Sequence, residues 1–513
     1  MTNNTSGMKI LQTVILGLSL LCITSCSHKE KENKLEKPNI VWVMLEDISH
    51  DFECYGMPAV KTPTFNALAE EGTLYYNCYG TASICSTNRS AMMVGAHQRL
   101  TNTHHHRSNR EEPLASPFQP FTYLLKKQGY TNVLGHKNVM KKGRKIDVNF
   151  KHKPIGNWEE DYGLFDKFDE FTAEDQPFFA QIQLAVTHRG DWWTEVREQS
   201  EHPVNPAEVQ LPPEYADHPA IRLDWAKYLD QVEYADNEMK MLIDELKVKG
   251  VYDNTVIIVI GDNGRCNIKG KGYLHDPGSR IPLIIKWPEG YEHDKESQQI
   301  IASTDITATI LDIAGVELPD YLTGQSFIDE NFDRKNVYSY RGLWDEIPEQ
   351  VSSITGERFR YIRNDKPEIP YDAHQGYLEW YRPAVHVMRS LNEEGKLNEI
   401  QQRWFEPTKP QEELYDFVND PFEIHNLANN PEYKDVLKQM REETLEMDKQ
   451  MTPVSNVYDP KAVPGLAPVN FVKEHYPKEY QRMLDGEEIG YKKYSKLYKK
   501  HLAKEKSKSI QSK

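Results

Sequence analysis

The stretch Asn39-Ile40-Val41-Trp42-Val43-Met44-Leu45 follows the turn signal of Pro38, is almost wholly apolar, and stops at Glu46-Asp47. A run without polar alternation does not suit a sheet with one face in water. It predicts a strand buried on both faces, as in a parallel sheet covered by helices. Residues 255–260 repeat the pattern and end at Gly261-Asp262-Asn263, and 130–134, 177–186 and 280–285 read as further strands. Between them, 65–71, 121–128 (stopped by Gly129), 226–249 (stopped by Gly250) and 304–314 read as helices. Strands alternating with helices predict an α/β sandwich around a central, mostly parallel sheet. Sites in such sheets form beyond the carboxyl ends of the strands, where both acidic pairs stand.

The chain has 513 residues, enough for two or three packed units. Apolar residues make up 38% and charged ones 27%, which excludes a disordered or multi-span membrane protein. A net charge of −16 argues against nonspecific nucleic-acid binding; an anionic substrate would need local basic pockets. Met8-Lys9 precedes an apolar run over 10–23, too short for a comfortable membrane span and read as a signal segment. Ile23-Thr24-Ser25-Cys26 resembles a bacterial lipobox, with ordinary signal cleavage or a short anchor as the alternatives, so Cys26 is the expected lipidation site. The expected organisation is a signal over 1–26, a polar tether over 27–37, a catalytic domain over 38–330, a smaller C-terminal α+β unit over 331–490 and a basic tail over 491–513. Within the C-terminal unit, 337–341, 358–363 and 413–417 read as strands and 431–451 as a helix, while the Lys-rich tail reads as peripheral and solvated. Beyond Cys22 and Cys26, the four cysteines Cys54, Cys78, Cys85 and Cys266 make no disulfide framework, although a Cys54–Cys78 bridge is one pairing open to them. No Cys-x-x-Cys pair or His/Cys cluster marks a zinc site.

Cys85 lies in Ser83-Ile84-Cys85-Ser86-Thr87-Asn88-Arg89-Ser90-Ala91-Met92-Met93-Val94-Gly95. A lone cysteine among small residues is most often an inert core thiol. What changes that reading is the order of motifs around it: the Glu46-Asp47 strand end, Cys54-Tyr55-Gly56, Thr62-Pro63-Thr64, Leu68-Ala69-Glu70-Glu71-Gly72, the Cys85 segment, Gly261-Asp262-Asn263-Gly264, Lys271, and Glu413-Leu414-Tyr415-Asp416 with Asp420-Pro421. In that order the chain resembles the type I, formylglycine-dependent sulfatases, in the bacterial polysaccharide sulfatase and heparan N-sulfatase-like branch. It departs from the family at Thr87, where Pro or Ala is usual, at Asn88 for Ser, and at Glu46 for Asp.

The resemblance implies an alkaline-phosphatase-like sandwich and a sulfuric ester hydrolase. It implies that a maturase oxidises Cys85 to formylglycine, whose hydrate attacks sulfur, and that Arg89 orients that hydrate. Hard oxygen donors from Glu46, Asp47, Asp262 and Asn263, joined by modified Cys85, suit Ca2+. His188, in Val186-Thr187-His188-Arg189, is the candidate acid for the leaving oxygen. Lys271 and Lys137, the latter in Gly135-His136-Lys137-Asn138 and matched to the family's Gly-Lys-x-His segment, are candidate sulfate ligands. From Thr103-His104-His105-His106-Arg107-Ser108, His105 is the expected substrate contact, since consecutive side chains rarely converge on one ion. The aromatic stretch 377–381 either lines a sugar subsite or packs the C-terminal unit. The expected partners are a sulfated oligosaccharide or polysaccharide (ulvan-like or a glycosaminoglycan), the maturase, and a cell-envelope membrane through the lipid anchor, with no nucleic acid. Two other readings stand beside this one: a phosphoesterase of the same superfamily, and a non-catalytic glycan-binding lipoprotein.

Overall fold

A computed structural model describes residues 37–452 and 465–511; the signal segment, Cys26 and the tether up to 36 lie outside the described residues. Among the described residues, fourteen strands follow in chain order: β1 (Asn39–Leu45), β2 (Thr73–Tyr79), β3 (Thr131–Leu134), β4 (Lys153–Ile155), β5 (Gly163–Phe165), β6 (Lys167–Phe168), β7 (Phe178–Leu184), β8 (Thr255–Gly261), β9 (Leu283–Lys286), β10 (Glu296–Ala302), β11 (Val337–Arg341), β12 (Val351–Thr355), β13 (Phe359–Asn364) and β14 (Glu412–Asp416). Eight form the central sheet in the order β10-β2-β9-β8-β1-β7-β3-β6. Within it, β9 runs antiparallel to both neighbours, β2 and β8. Every residue of β1, β7 and β8 is buried, as expected for strands between helical layers, the two glutamines of β7 included.

The register of these central strands sets the site. Leu45 of β1 pairs with Gly261 of β8 and with Leu184 of β7. Glu46-Asp47 and Asp262-Asn263 therefore leave the sheet side by side, with the residues after β7 next to them. The Asp262 N–H donates to the Leu45 carbonyl at 3.0 Å and the Ile48 N–H to the Asn263 carbonyl at 3.0 Å, extending the ladder past the last strand residues.

The strands β11-β12-β13-β14 form an antiparallel sheet in that order. The helix Lys434–Gln450 covers it through Leu437 and Met440, packed with Tyr338, Ile354, Tyr361 and Leu414. Its β11 edge lies against the turn that leads to Cys85: the Tyr340 N–H donates to the Thr81 carbonyl at 2.9 Å and Ser339 Oγ to the Gly80 carbonyl at 2.8 Å.

Several elements depart from the sequence reading. β2 and β10 carry mixed polar residues that hid them, although they pair in parallel at the sheet edge. The long helix begins at Pro219, ahead of 226, because the His218 side chain caps it and Pro suits a first turn. Cys54 and Cys78 are free thiols. The tail is no loose appendage. It is a helix, Tyr491–Gln511, whose Tyr494 is 1% exposed and packs with Trp380, Val469 and Phe471.

The long helix also steadies a loop that matters below. Glu238 Oε1 accepts the Met140 N–H at 2.5 Å, while its Oε2 is buried without a partner. Burial pushes this carboxyl from 4.5 up to about 7. The folded chain therefore keeps a proton that the unfolded chain loses above 4.5, and stability falls as pH rises through 4.5–7. Glu238→Gln is expected to flatten that slope in thermal melts between pH 5 and 8. It should gain about 1 kcal/mol at pH 8, part of the benefit being offset by an unpaired amide.

Candidate active site

Cys85 opens the helix Cys85–Val94, every residue of which is buried. The helix ends at Gly95, in the left-handed region at φ +71. Two side chains of its first turns fasten it to the end of β8. Asn88 Nδ2 donates to the Asp262 carbonyl at 2.8 Å, while Asn88 Oδ1 accepts from the Thr81 N–H at 3.1 Å and from Ser303 Oγ at 2.7 Å. Arg89 Nε donates to Asp262 Oδ2 at 2.8 Å, and its Nη2 donates to Gln183 Oε1 on β7. The unusual Asn88 is thus a structural tie. Thr87, the other departure, leaves Oγ1 buried without a partner.

Three carboxylates crowd the carboxyl edge, and each meets a cation. Asp262 holds Arg89. Asp47 Oδ1 accepts from Lys271 Nζ at 2.6 Å and from Asn263 Nδ2 at 3.0 Å. Glu46 Oε2 pairs with Lys145 Nζ. Burial pushes the Asp47 carboxyl up, but Lys271, His188 and Asn263 outweigh it and hold it far below the usual range. Glu46 behaves alike, burial being outweighed by Lys145, His188 and Arg89. Asp262 goes the other way: burial raises it, Arg89 opposes, and the nearby Glu46 and Asp47 charges add to the rise. Burial also raises the Cys85 thiol, against the pull of Lys271 and Lys145.

Among the described residues, no three His, Cys, Asp or Glu side chains form a ready metal cage, because each carboxylate is turned to its own cation. The donor set still suits a hard cation. It is all oxygen, it is buried, and Asn263 Oδ1 has no hydrogen-bond partner. Such an ion would relieve the mutual repulsion that Asp262 feels.

His188 stands after β7, with Nε2 3.7 Å from Glu46 Oε2 and Nδ1 3.0 Å from the Arg189 carbonyl. Burial lowers its imidazole to about 4, with Glu46 and Asp47 pulling upward and Lys271 and Lys145 downward.

The structure corrects one lysine. Lys137 is exposed and pairs with Glu170 at 2.9 Å, and its neighbour His136 faces Glu245 at 2.8 Å. Lys145 is the lysine that enters the site, beside Glu46, with Asp147 Oδ2 at 3.4 Å. Gly135 and Gly143 each begin a Gly-x-Lys: the Gly135 N–H donates to the Gln181 carbonyl of β7 at 2.8 Å, whereas Gly143, φ +58, packs nearer the carboxyl end of β7, where a Cβ would meet the Gln183 backbone at 3.0 Å. Asp147 then falls where the family segment carries its His.

The three histidines diverge. His104 packs edge-on against Tyr340. His105 Nδ1 accepts the Leu343 N–H at 3.0 Å. His106 turns to the nucleophile helix, with Nδ1 3.0 Å from Ser86 Oγ. From the C-terminal unit, Tyr377 reaches in: its hydroxyl donates to Asp47 Oδ2 at 3.2 Å, and its ring lies 5.3 Å from Lys271 Nζ and 6.0 Å from the His188 ring. Tyr377 therefore does line the site, whereas Tyr381 packs on Tyr491. No motif marks Tyr377 or His106; the only signal was the aromatic and histidine density around each.

A sandwich with a buried cysteine at a helix start, ringed by paired acids and lysines at a sheet edge, defines a class of anionic-ester hydrolases. The Sulfatase family model matches residues 38–316, and the chain belongs to that family, the sulfuric ester hydrolases. It is 28% identical over 509 residues to an ulvan-active sulfatase of Formosa agariphila, covering 87% of this chain and 83% of the relative. It is 23% identical to human N-sulphoglucosamine sulphohydrolase, covering 79% and 88% respectively. A 2-O GAG sulfatase structure superposes with a TM-score of 0.57 at 17% identity, covering 84% of this chain and 96% of that one, a likeness of fold.

Lys145→Ala is expected to lower kcat/KM by about 10²–10³, while Lys137→Ala stays within about twofold of wild type. Tyr377→Phe should cost about tenfold through one lost hydrogen bond to a charged group. Steady-state kinetics on one sulfate ester reads all three.

Proposed function

We propose that the protein is an exported enzyme, lipid-anchored through Cys26 to a bacterial cell-envelope membrane, that removes sulfate from a sulfated polysaccharide or its oligosaccharides, ulvan-like or glycosaminoglycan. The observation that carries the reading is the arrangement around Cys85: a fully buried cysteine in the field of Lys271 and Lys145, on a helix locked by Arg89 to Asp262. The named activities of the relatives support the substrate class. Glu46, Asp47, Asp262 and Asn263 would hold Ca2+, which supplies positive charge to the sulfate oxygens. Cys85, converted by a formylglycine-generating maturase, would supply the attacking hydroxyl.

The remaining roles fall to the chain's own side chains. Lys271 and Lys145 place two ammonium groups around Cys85, enough to draw in a tetrahedral anion. Arg89, with Nε and Nη2 engaged, keeps the first turn of its helix fixed against the sheet. His188 has its Nδ1–H spent on the Arg189 carbonyl, which leaves the Nε2 lone pair facing the pocket, so only the imidazolium form would pass a proton from Nε2 to the leaving oxygen. Tyr377 and Asn263 hold the Asp47 carboxylate in place.

Mass spectrometry of tryptic peptide 62–89, from a host with the maturase, should show a lowered mass at Cys85. Sulfate release from ulvan or glycosaminoglycan oligosaccharides should vanish in Cys85→Ala, fall with a chelator, and return with Ca2+. An unmodified peptide would sink the formylglycine route. Zinc-dependent phosphate release that survives Cys85→Ala would point to a phosphoesterase instead.

A further inference from the structure

The helix Tyr491–Gln511 carries eight lysines and one acid, Glu505, in a chain whose net charge is −16. Lys492, Lys496, Lys499 and Lys500 follow the i, i+4, i+7, i+8 spacing of one helix face, and all four are exposed. The opposite face is spent on the protein: Tyr491, Tyr494, Leu497 and Tyr498 pack with Trp380 and Phe471. A surface this cationic on an acidic protein, on a helix about 30 Å long whose first turns are packed on the protein, is matched by a partner with many negative charges.

Its position links it to the catalytic pocket in three ways. Asp191, three residues after His188, accepts the Tyr491 N–H at 3.0 Å and the Lys492 N–H at 2.9 Å, so one carboxylate joins the His188 loop to the helix start. Rings run from the pocket to the helix, Tyr377 to Tyr381 at 5.6 Å and Tyr381 to Tyr491 at 5.4 Å. Lys141 is seated 3.6 Å over the Trp192 ring, which lies 6.3 Å from the His188 ring, and so adds an ammonium beside the Asp191 turn. Of the acids nearby, Asp191 is matched to the helix N–H groups, Glu488 to Lys227 at 3.2 Å and Glu487 to Arg482 at 2.7 Å.

We infer that the lysine face of this helix is a docking track for the sulfated polysaccharide chain, holding sulfate groups beyond the one that enters the catalytic pocket. The inference rests on the sulfated-carbohydrate reading above. An anionic membrane fits less well, since Tyr491, Tyr494, Leu497 and Tyr498 are packed on the protein and, Leu502 apart, leave lipid mainly the charge to bind.

The test compares the full-length protein with a variant carrying Lys496→Gln, Lys499→Gln, Lys500→Gln and Lys504→Gln, both checked by thermal melting. A control carries Lys434→Gln, Lys438→Gln and Lys449→Gln on the exposed face of the helix Lys434–Gln450. Binding to immobilised ulvan is measured over a salt series, and sulfate release is measured on ulvan polymer and on its sulfated disaccharides. The fourfold variant should bind the polymer about tenfold more weakly at low salt, with a shallower salt dependence. Its KM for the polymer should rise in step, while kcat/KM on disaccharides stays within about twofold and the control matches wild type. Polymer binding equal in wild type and variant, or an equal loss in the control, overturns the track. So does binding to phosphatidylcholine–phosphatidylglycerol vesicles that is lost with the four lysines while ulvan binding stays. If the wild type releases sulfate from no sulfated carbohydrate, the proposed function fails, and the binding series still decides the track.

Discussion

Asp262 is the joint on which the site hangs. One carboxylate oxygen takes Arg89, the other takes the Asp47 N–H at 3.0 Å, and its carbonyl takes Asn88. One residue at the end of β8 thereby fixes the helix that begins at Cys85 and the turn that carries Asp47, itself held at φ +48. Removing one member of such a buried pair costs about 3–5 kcal/mol because the other charge is stranded. The cost falls where the reacting groups must be held to fractions of an ångström, so the ion pair sets geometry at least as much as stability.

The charge pattern follows a single rule. Three buried acids stand at the edge of the sheet, and Arg89, Lys145 and Lys271 each answer one of them. None of the three cations comes from the strand that supplies its acid: one lies on the nucleophile helix, one on the loop after β3, one on the loop after β8. The pocket can form only when these segments close on the sheet together. Burial would drive each carboxylate toward neutrality, and the partner cations prevent that for Glu46 and Asp47, which leaves those two carboxylates ionised.

Much of this was legible in the sequence where a feature is local. Apolar runs marked β1, β7 and β8, and the acids after β1 and β8 followed because strand ends and sites coincide. Cys85, Arg89, His188 and Lys271 came with motifs of fixed order, and the structure brings all of them to one edge. What stayed hidden depended on a path through space. Two Gly-x-Lys triplets eight residues apart look alike, and only the packing of Gly143 nearer the carboxyl end of β7 shows which one crosses the site. Which of three consecutive histidines faces Ser86 depends on how β11 lies against the loop. β2 reads as polar because its partners are an edge strand and the antiparallel β9. The tail reads as solvent-borne because lysine dominates its composition, while the few tyrosines that dock it sit on a single face.

Tyr377 has a consequence for how such a chain can be taken apart. The segment that the family model covers ends at 316, yet a phenol 61 residues further on is bonded to an acid at the heart of the site. Chemistry and substrate-facing architecture are therefore not separable modules here. A chain cut after the first unit would carry the nucleophile and all three acids and still lack a member of the constellation. A C-terminal unit grafted from another chain would alter the reactivity of the pocket as well as its shape.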